Sequence, residues 1–339
     1  NISDKLRPGK NVIALWLGSS WSIFPSYATS HNPRTPMVIA QADFYDVQMK
    51  HMSRLQTDDS WKIHSSPNRL LGTWEMHNYG GEIWDANKEI EGWNLPAFND
   101  KNWKQATVYN LKLKLSAQVV QTNKLLHEIN PIGIEKRKEG YRIDMGVNFA
   151  GWTRMNLRGN PGDTIRFLYS EREQDEKTFN LRSMYVIGPT GKGTFQNKFN
   201  YSSARWIMIK GLNYQPNLDD IKGWVVRTNY SRVTQFQSNN DLQNWIYDRS
   251  CWNYENLTLG GYVVDCPQRE RFGYGGDAHA TSEAGMYNYQ VGAFYTKWML
   301  DWHDVQGTES IWANMNNTAL ARKQVGAGII TNTGVLPHT

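Results

Sequence analysis

Residues 140–171 set the tightest limit on how this chain folds. GYRIDMGVNFAGWTRMNLRG (Gly140–Gly159) and DTIRFLYSE (Asp163–Glu171) alternate apolar and polar residues with a period of two, and Gly-Asn-Pro-Gly-Asp joins them. Such alternation lays one face of a strand on a core, and a Gly/Pro/Asn/Asp cluster between two such runs is a tight turn. MYVIG, TFQNKFNY and ARWIMIKGL continue the pattern at the spacing of a β-sandwich, so residues 123–234 read as one such domain.

Residues 1–122 also read as β. NVIALWLGSSW (Asn11–Trp21) and PMVIAQADFYDV (Pro36–Val47) are expected strands. TDDSW, ending at Trp61, and FNDKNW, ending at Trp103, echo each other as carboxylate-bearing turns before a Trp that folds back over a sheet.

Near Ser238 the pattern changes. Asn239, Asn240 and Asp241 are N-cap candidates ahead of Leu242, Trp245 and Ile246, which marks a helix running to near Gly260. From His279 to Gln306, Met286, Tyr289, Ala293, Trp298 and Trp302 recur at helical spacing without a proline, and one long buried helix is expected. Glu309–Gln324 is a weaker helix, and Gly326, Gly328, Gly334 and Pro337 mark loop thereafter. A chain of 339 residues exceeds what one core serves. The expected organisation is therefore two β-domains followed by helices, divided 1–122, 123–234 and 235–339.

A net charge of +5 is spread along the chain with no basic block, which leaves no footprint for nucleic acid or an anionic membrane. No run of 18 apolar residues occurs. Fifteen Trp and 17 Tyr exceed what packing alone asks for, and flat rings stack on sugars or bases. Two cysteines, Cys251 and Cys266, allow at most one bridge and are expected to remain thiols. The chain starts at Asn1 in what reads as mid-domain, as a processed or truncated product would, with a periplasmic or secreted setting favoured over the cytoplasm.

Between the helices lies DCPQRERFGYGGD, Asp265–Asp277. Pro267 and the glycines are expected to keep Asp265, Glu270 and Asp277 on irregular backbone. Three readings fit such a loop. A surface turn would pair the acids with Arg269 and Arg271 as exposed ion pairs, each worth roughly 0–1 kcal/mol. A metal site would use the carboxylates, but the alternating Asp/Asn ligands of a calcium loop are missing and arginines flank Glu270. Glycoside hydrolysis needs one protonated carboxyl and one carboxylate, and apolar neighbours such as Phe272 and Tyr274, with like charges nearby, raise a carboxyl's pKa.

DCPQRERFGYGGDA resembles the signature of bacterial α-L-rhamnosidases of glycoside hydrolase family 78, close to D-C-P-x-R-(D)-E-R-x-G-W-x-G-D-A. It departs in Tyr274, where the family commonly has Trp, and in lacking the extra Asp before Glu270. LRPGKNVIALWLGSSW, EIWDANKEIEGWNLPAFNDKNWKQA, YRIDMGVNFAGWTRMNLRGNPGDTIRFLYSE and KWMLDWHDVQ are similar to further family segments in the same order.

The resemblance implies two β-sandwich domains followed by the start of an (α/α)6 barrel, incomplete in this chain. It implies hydrolysis of terminal α-L-rhamnose with inversion, acting on rhamnose-containing oligosaccharides or polysaccharides, acidic ones included, with no cofactor or metal. Glu270 would be the general acid, Asp265 and Asp277 would bind rhamnose hydroxyls, Tyr274 would line the subsite and Arg269 would orient the carboxylates. The general base would lie outside this chain, which is expected to be inactive alone. The other readings are a non-catalytic carbohydrate-binding protein and a glycosidase for a different terminal sugar.

Overall fold

The computed structural model describes residues 2–23, 36–109 and 115–305; the helix expected at 309–324 lies outside them. The alternation at 140–158 becomes one strand, Gly140–Arg158, which buries Ile143, Met145, Met155 and Leu157. This strand bends. Gly146 takes φ +78 and donates its N–H to Asp144 Oδ1 at 2.7 Å, a backbone angle that glycine adopts without strain. The facing strand shifts register between Ala204 and Trp206.

The bend lets one strand serve two layers. Residues 140–144 pair with Gly133–Arg137 and with residues 206–209 of the strand Ser202–Lys210, whose first residues, 202–204, follow the long strand around the bend to 149–151. Past the bend, the strand pairs with Ile221–Thr228 and Lys192–Gln196. The first layer continues from Ser202–Lys210 through Thr164–Ser170, Arg182–Val186, Gly81–Asp85 and Asn68–Leu71, and Asn123–Ile129 edges the second. Between the layers, Phe167 stacks on Phe195 with ring centroids 4.6 Å apart, among Met145, Phe149, Ile165, Ile207, Ile221 and Val225. Burying each such side chain contributes about 1.5–3 kcal/mol.

Two strands of the first layer, Asn68–Leu71 and Gly81–Asp85, precede residue 122, so the sheet draws on both sides of that point in the chain. The Glu82 carboxylate fixes the join by accepting the N–H groups of Lys198 and Asn200 at 2.7 and 2.6 Å. The echoing Trp61 and Trp103 turns lead into Lys62–Ile63 and Lys104–Gln105, which pair with each other. Within the expected Pro36–Val47 strand, Gln41–Tyr45 is a strand and pairs with His51–Gln56 beyond it. Residues 11–19 form no strand, contrary to their alternation. Trp16 organises them instead, packing edge-on against Trp84 and Phe199 with centroids 5.6 and 5.4 Å away and donating to Ser66.

Helix α1, Asp241–Leu257, begins where Asn240 accepts the Gln243 N–H at 3.2 Å. It docks on the second layer and the bend. Asn256 Oδ1 accepts the Ala150 N–H at 2.7 Å, and the Trp252 indole donates to Asn148 O at 2.9 Å. Glu255, 5% exposed, meets His127 at 2.6 Å, Arg227 at 3.3 Å and the Tyr289 hydroxyl at 2.8 Å. Burial opposes its charge, but the hydrogen bond from His127 and the nearby Arg227 outweigh burial and hold its pKa below the usual glutamate value.

The chain leaves α1 through a tight hairpin, Thr258–Leu259 with Tyr262–Val263, in which Gly260 and Gly261 both have positive φ. The single helix expected across 279–306 is two helices, α2 (Gly275–Asn288) and α3 (Gly292–Val305). Tyr289 is extended and bridges to Arg232, Val233 donates to Asn288 O, and Gln290 donates to Ser231 O. Pairing with residues 231–233 thus replaces the helical hydrogen bonds there. Asp277 lies on a helix rather than on the irregular backbone its glycine-rich surroundings suggest. With Tyr274 as N-cap, glycines 275 and 276 open α2 and Asp277 lies in its first turn, where a carboxylate suits the helix dipole.

Candidate active site

The loop from Asp265 to Gly273 joins the hairpin to α2 and is closed at its base. The Asp265 N–H donates to Phe272 O, and the Phe272 N–H donates to Asp265 Oδ1, both at 2.9 Å. The Cys266 thiol donates to Asp265 Oδ2 at 2.8 Å; burial and then Asp265 push its pKa to about 11, so it stays a donor. Cys251 is also a free thiol.

Arg271 anchors this loop from below. It is 1% exposed and takes φ +61, a left-handed angle that strains a residue with a side chain. Its guanidinium donates to Pro267 O, Asn200 Oδ1 and Tyr201 O, each at 2.8 Å. The rings of Tyr201 and Tyr79 lie 3.9 and 4.4 Å from its centre. Carbonyls and π-faces therefore stabilise a buried cation, although burial still lowers its pKa.

Residues 74–79, far away in sequence, clasp the same loop. The Tyr79 hydroxyl donates to Glu270 O, and the His77 N–H donates to Arg269 O at 3.0 Å. Asn200 donates to Tyr79 O at 2.9 Å. Trp21, Trp74 and Tyr79 pack edge to face, and Trp21 lies 5.1 Å from Phe272.

Above this floor, Arg269 and Tyr274 meet the Glu270 carboxyl, and Asp265 and Asp277 feel its charge. Glu270 Oε2 accepts the Tyr274 hydroxyl at 2.7 Å, and Oε1 meets Arg269 at 2.8 Å. The Glu270 side chain is 19% exposed and that of Arg269 is 47%. Burial, and then the Glu270 carboxylate, raise the Tyr274 phenol well above its usual range, so it remains a donor. Asp265 lies close enough to Glu270 to feel its charge. Burial first, offset in part by Cys266, and then Glu270 raise the Asp265 pKa to about 6. Asp277 is half-buried, and burial together with the Glu270 charge raises its pKa.

Two cavities flank the loop. One of about 460 Å³ has Asp265–Gln268 on its wall, and one of about 420 Å³ has Arg271. Glu270, Tyr274 and Asp277 line neither of these two. Among the described residues no group of three or more His, Cys, Asp or Glu side chains is placed to hold a metal ion. No helix among them is long and apolar enough to cross a membrane.

Three domain families match in succession. Residues 1–127 match the α-L-rhamnosidase N-terminal domain, 134–227 the bacterial α-L-rhamnosidase concanavalin-like domain, and 231–327 the bacterial α-L-rhamnosidase 6 hairpin glycosidase domain. The chain belongs to the bacterial α-L-rhamnosidase family. It is similar to an α-L-rhamnosidase of Formosa agariphila, with 28% identity over 325 residues, covering 89% of this chain and 33% of that protein. One from Streptomyces avermitilis is 23% identical over 329 residues, covering 93% and 31%. The chain thus spans about a third of the length of these curated relatives.

Among solved structures, the α-L-rhamnosidase from Dictyoglumus thermophilum superposes with a TM-score of 0.74 at 29% identity, covering 81% of this chain and 32% of that one. The Streptomyces avermitilis α-L-rhamnosidase complexed with L-rhamnose gives 0.70 at 22% identity, covering 80% and 27%, a likeness of fold. In this rhamnosidase-family chain, sequence reasoning missed Arg271 and Tyr79 as supports of the loop. Arg269 and Arg271 flank Glu270 symmetrically in sequence, and only burial separates them. The positive φ at Arg271 leaves no mark on residue type.

Proposed function

We propose that this chain serves an α-L-rhamnosidase that removes terminal non-reducing α-L-rhamnose with inversion, with Glu270 as general acid. The observation that carries the reading is the mostly buried Glu270 carboxyl, with the Tyr274 hydroxyl on Oε2 at 2.7 Å and Arg269 on Oε1 at 2.8 Å. A carboxyl held in one orientation by fixed partners is what proton delivery to a glycosidic oxygen needs. Arg269 and Tyr274 fix the Glu270 rotamer, Tyr274 offers a ring to the sugar, and Asp265 and Asp277 accept rhamnose hydroxyls. An inverting partner sits roughly 6.5–9.5 Å away to hold the attacking water. We place that base outside residues 1–339.

In the same reading, 1–122 and 123–234 are the accessory β-domains, and 235–339 holds the first helices of an (α/α)6 barrel. The substrate is a rhamnose-bearing oligosaccharide or polysaccharide, and the periplasm or cell exterior suits such glycan trimming.

The test is Glu270→Gln in the full-length protein carrying this sequence, assayed on p-nitrophenyl α-L-rhamnoside. Losing a general acid lowers turnover by about 10²–10⁴-fold with the fold intact. Near-normal hydrolysis removes Glu270 from the role. Saturable binding of rhamnosyl oligosaccharides without product release by the wild type would turn the reading to carbohydrate binding.

A further inference from the structure

Two side chains meet the Glu270 carboxyl, one on each oxygen. Arg269 reaches Oε1 at 2.8 Å, and its guanidinium carries donors only, so a carboxyl O–H cannot face it. Oε1 therefore acts as an acceptor, and the proton of a neutral Glu270 resides on Oε2. The Tyr274 hydroxyl lies 2.7 Å from that oxygen, and a hydroxyl can donate or accept. It matches Oε2 in both protonation states.

The Tyr274 ring is itself held. It sits half-buried at the N-cap of α2, with the buried Phe272 ring edge-on at a centroid distance of 5.7 Å. The phenol keeps its own proton, because burial and then the Glu270 carboxylate raise its pKa. An anion forming on Glu270 also faces Asp265 and Asp277, both of which respond to the Glu270 charge. Like charges oppose it, and a fixed donor on Oε2 offsets them. Tyr274 is moreover where this chain departs from the family signature. The Trp common there has one indole donor and cannot accept a proton from a neutral carboxyl.

We infer that the Tyr274 hydroxyl is a positioning group for the acid: it orients the proton on Glu270 Oε2 and then stabilises the carboxylate left behind. The inference rests on the rhamnosidase reading. In the step, the Oε2–H bond breaks and its proton joins the glycosidic oxygen. The electron pair of the breaking anomeric carbon–oxygen bond goes to that same oxygen, and the attacking water gives its proton to the base placed outside this chain. The negative charge stays on Glu270, where Tyr274 donates to it.

The test compares kcat/KM of full-length wild type, Tyr274→Phe and Glu270→Gln on p-nitrophenyl α-L-rhamnoside and on a rhamnosyl-glucose disaccharide. Nitrophenolate departs with little help from an acid, whereas a sugar alkoxide must be protonated as it leaves. Tyr274→Phe keeps the ring and its contact with Phe272. It should lower the disaccharide value by about tenfold, the effect of losing one hydrogen bond to a charged group, and the nitrophenyl value by less than about threefold. Equal losses on both substrates, as a packing defect would give, or no loss on either, overturn the inference. Glu270→Gln separates the two readings. If it loses more on the disaccharide while Tyr274→Phe does not, the role of Tyr274 alone is overturned. If it spares both substrates, or wild type cleaves neither, the rhamnosidase reading falls and the inference with it.

Discussion

The Tyr79 hydroxyl donates to the main-chain carbonyl of Glu270, 191 residues away in sequence, so the backbone of the proposed acid is held by the N-terminal part of the chain. Burial raises the Tyr79 phenol far above its usual range, which keeps it a donor. Tyr79→Phe preserves the ring and leaves that carbonyl unpaired. The expected loss is about 1–2 kcal/mol in urea unfolding. In the full-length protein, kcat should fall more than KM rises, and an unchanged unfolding midpoint would contradict the clasp.

Arg271→Leu leaves Pro267 O and Tyr201 O without the guanidinium that donates to them and takes one of two donors from Asn200 Oδ1, which keeps the Tyr201 N–H. We expect it to destabilise by more than about 3 kcal/mol, because these buried acceptors lose a donor together. Arg271→Lys should recover only part of this, since an ammonium cannot reproduce the planar fork or its stacking on Tyr201. Chemical denaturation of the two variants decides the point; full recovery by Lys would show that charge alone matters.

Asp265 binds its proton more tightly when folded, with a pKa of about 6 against an ordinary 3.8. Its contribution to stability is therefore fully present below the ordinary value and is lost as pH rises through about 6. Asp265→Asn should remove that dependence. Thermal unfolding between pH 4 and 7 should show wild type losing about 1 kcal/mol more than the variant as pH rises, a figure reduced for partial solvent screening. Parallel pH profiles would remove Asp265 as the source.

Glu255 carries the opposite sign. Its folded pKa lies below the ordinary glutamate value, so its contribution is present above that value and is lost as pH falls through the folded one. Glu255→Ala strips His127, Arg227 and Tyr289 of their shared partner and leaves the buried Arg227 cation without its carboxylate, held by the carbonyls of Thr228 and Tyr230. A loss of about 3–5 kcal/mol is expected by denaturant unfolding. A loss under about 1 kcal/mol, as for an exposed pair, would show that this carboxylate does not bind the helices to the sheet.

Local rules made much of the fold legible. The strand at 140–158, the turn after it and the Asn240 cap each follow from a few adjacent residues. They fail where a distant partner decides. Residues 11–19 alternate like a strand but are organised by Trp16 against Trp84 and Phe199, and α2 stops where Tyr289 meets Arg232. At the site, the motif's short spacing lets Arg269 and Tyr274 reach the Glu270 carboxyl, and in the structure both touch it. The support beneath them was hidden, because nothing near Arg271 in sequence announces Tyr79 or Tyr201.

The clasp from Tyr79 also orders events during synthesis. Chains emerge from the ribosome N-terminus first, and domains tend to fold in that order. Tyr79, Asn200 and Tyr201 are available before Glu270 and Arg271 have been translated. The loop can thus settle onto a surface already in place, and a defect in that earlier surface would appear as a misplaced carboxyl nearly two hundred residues later.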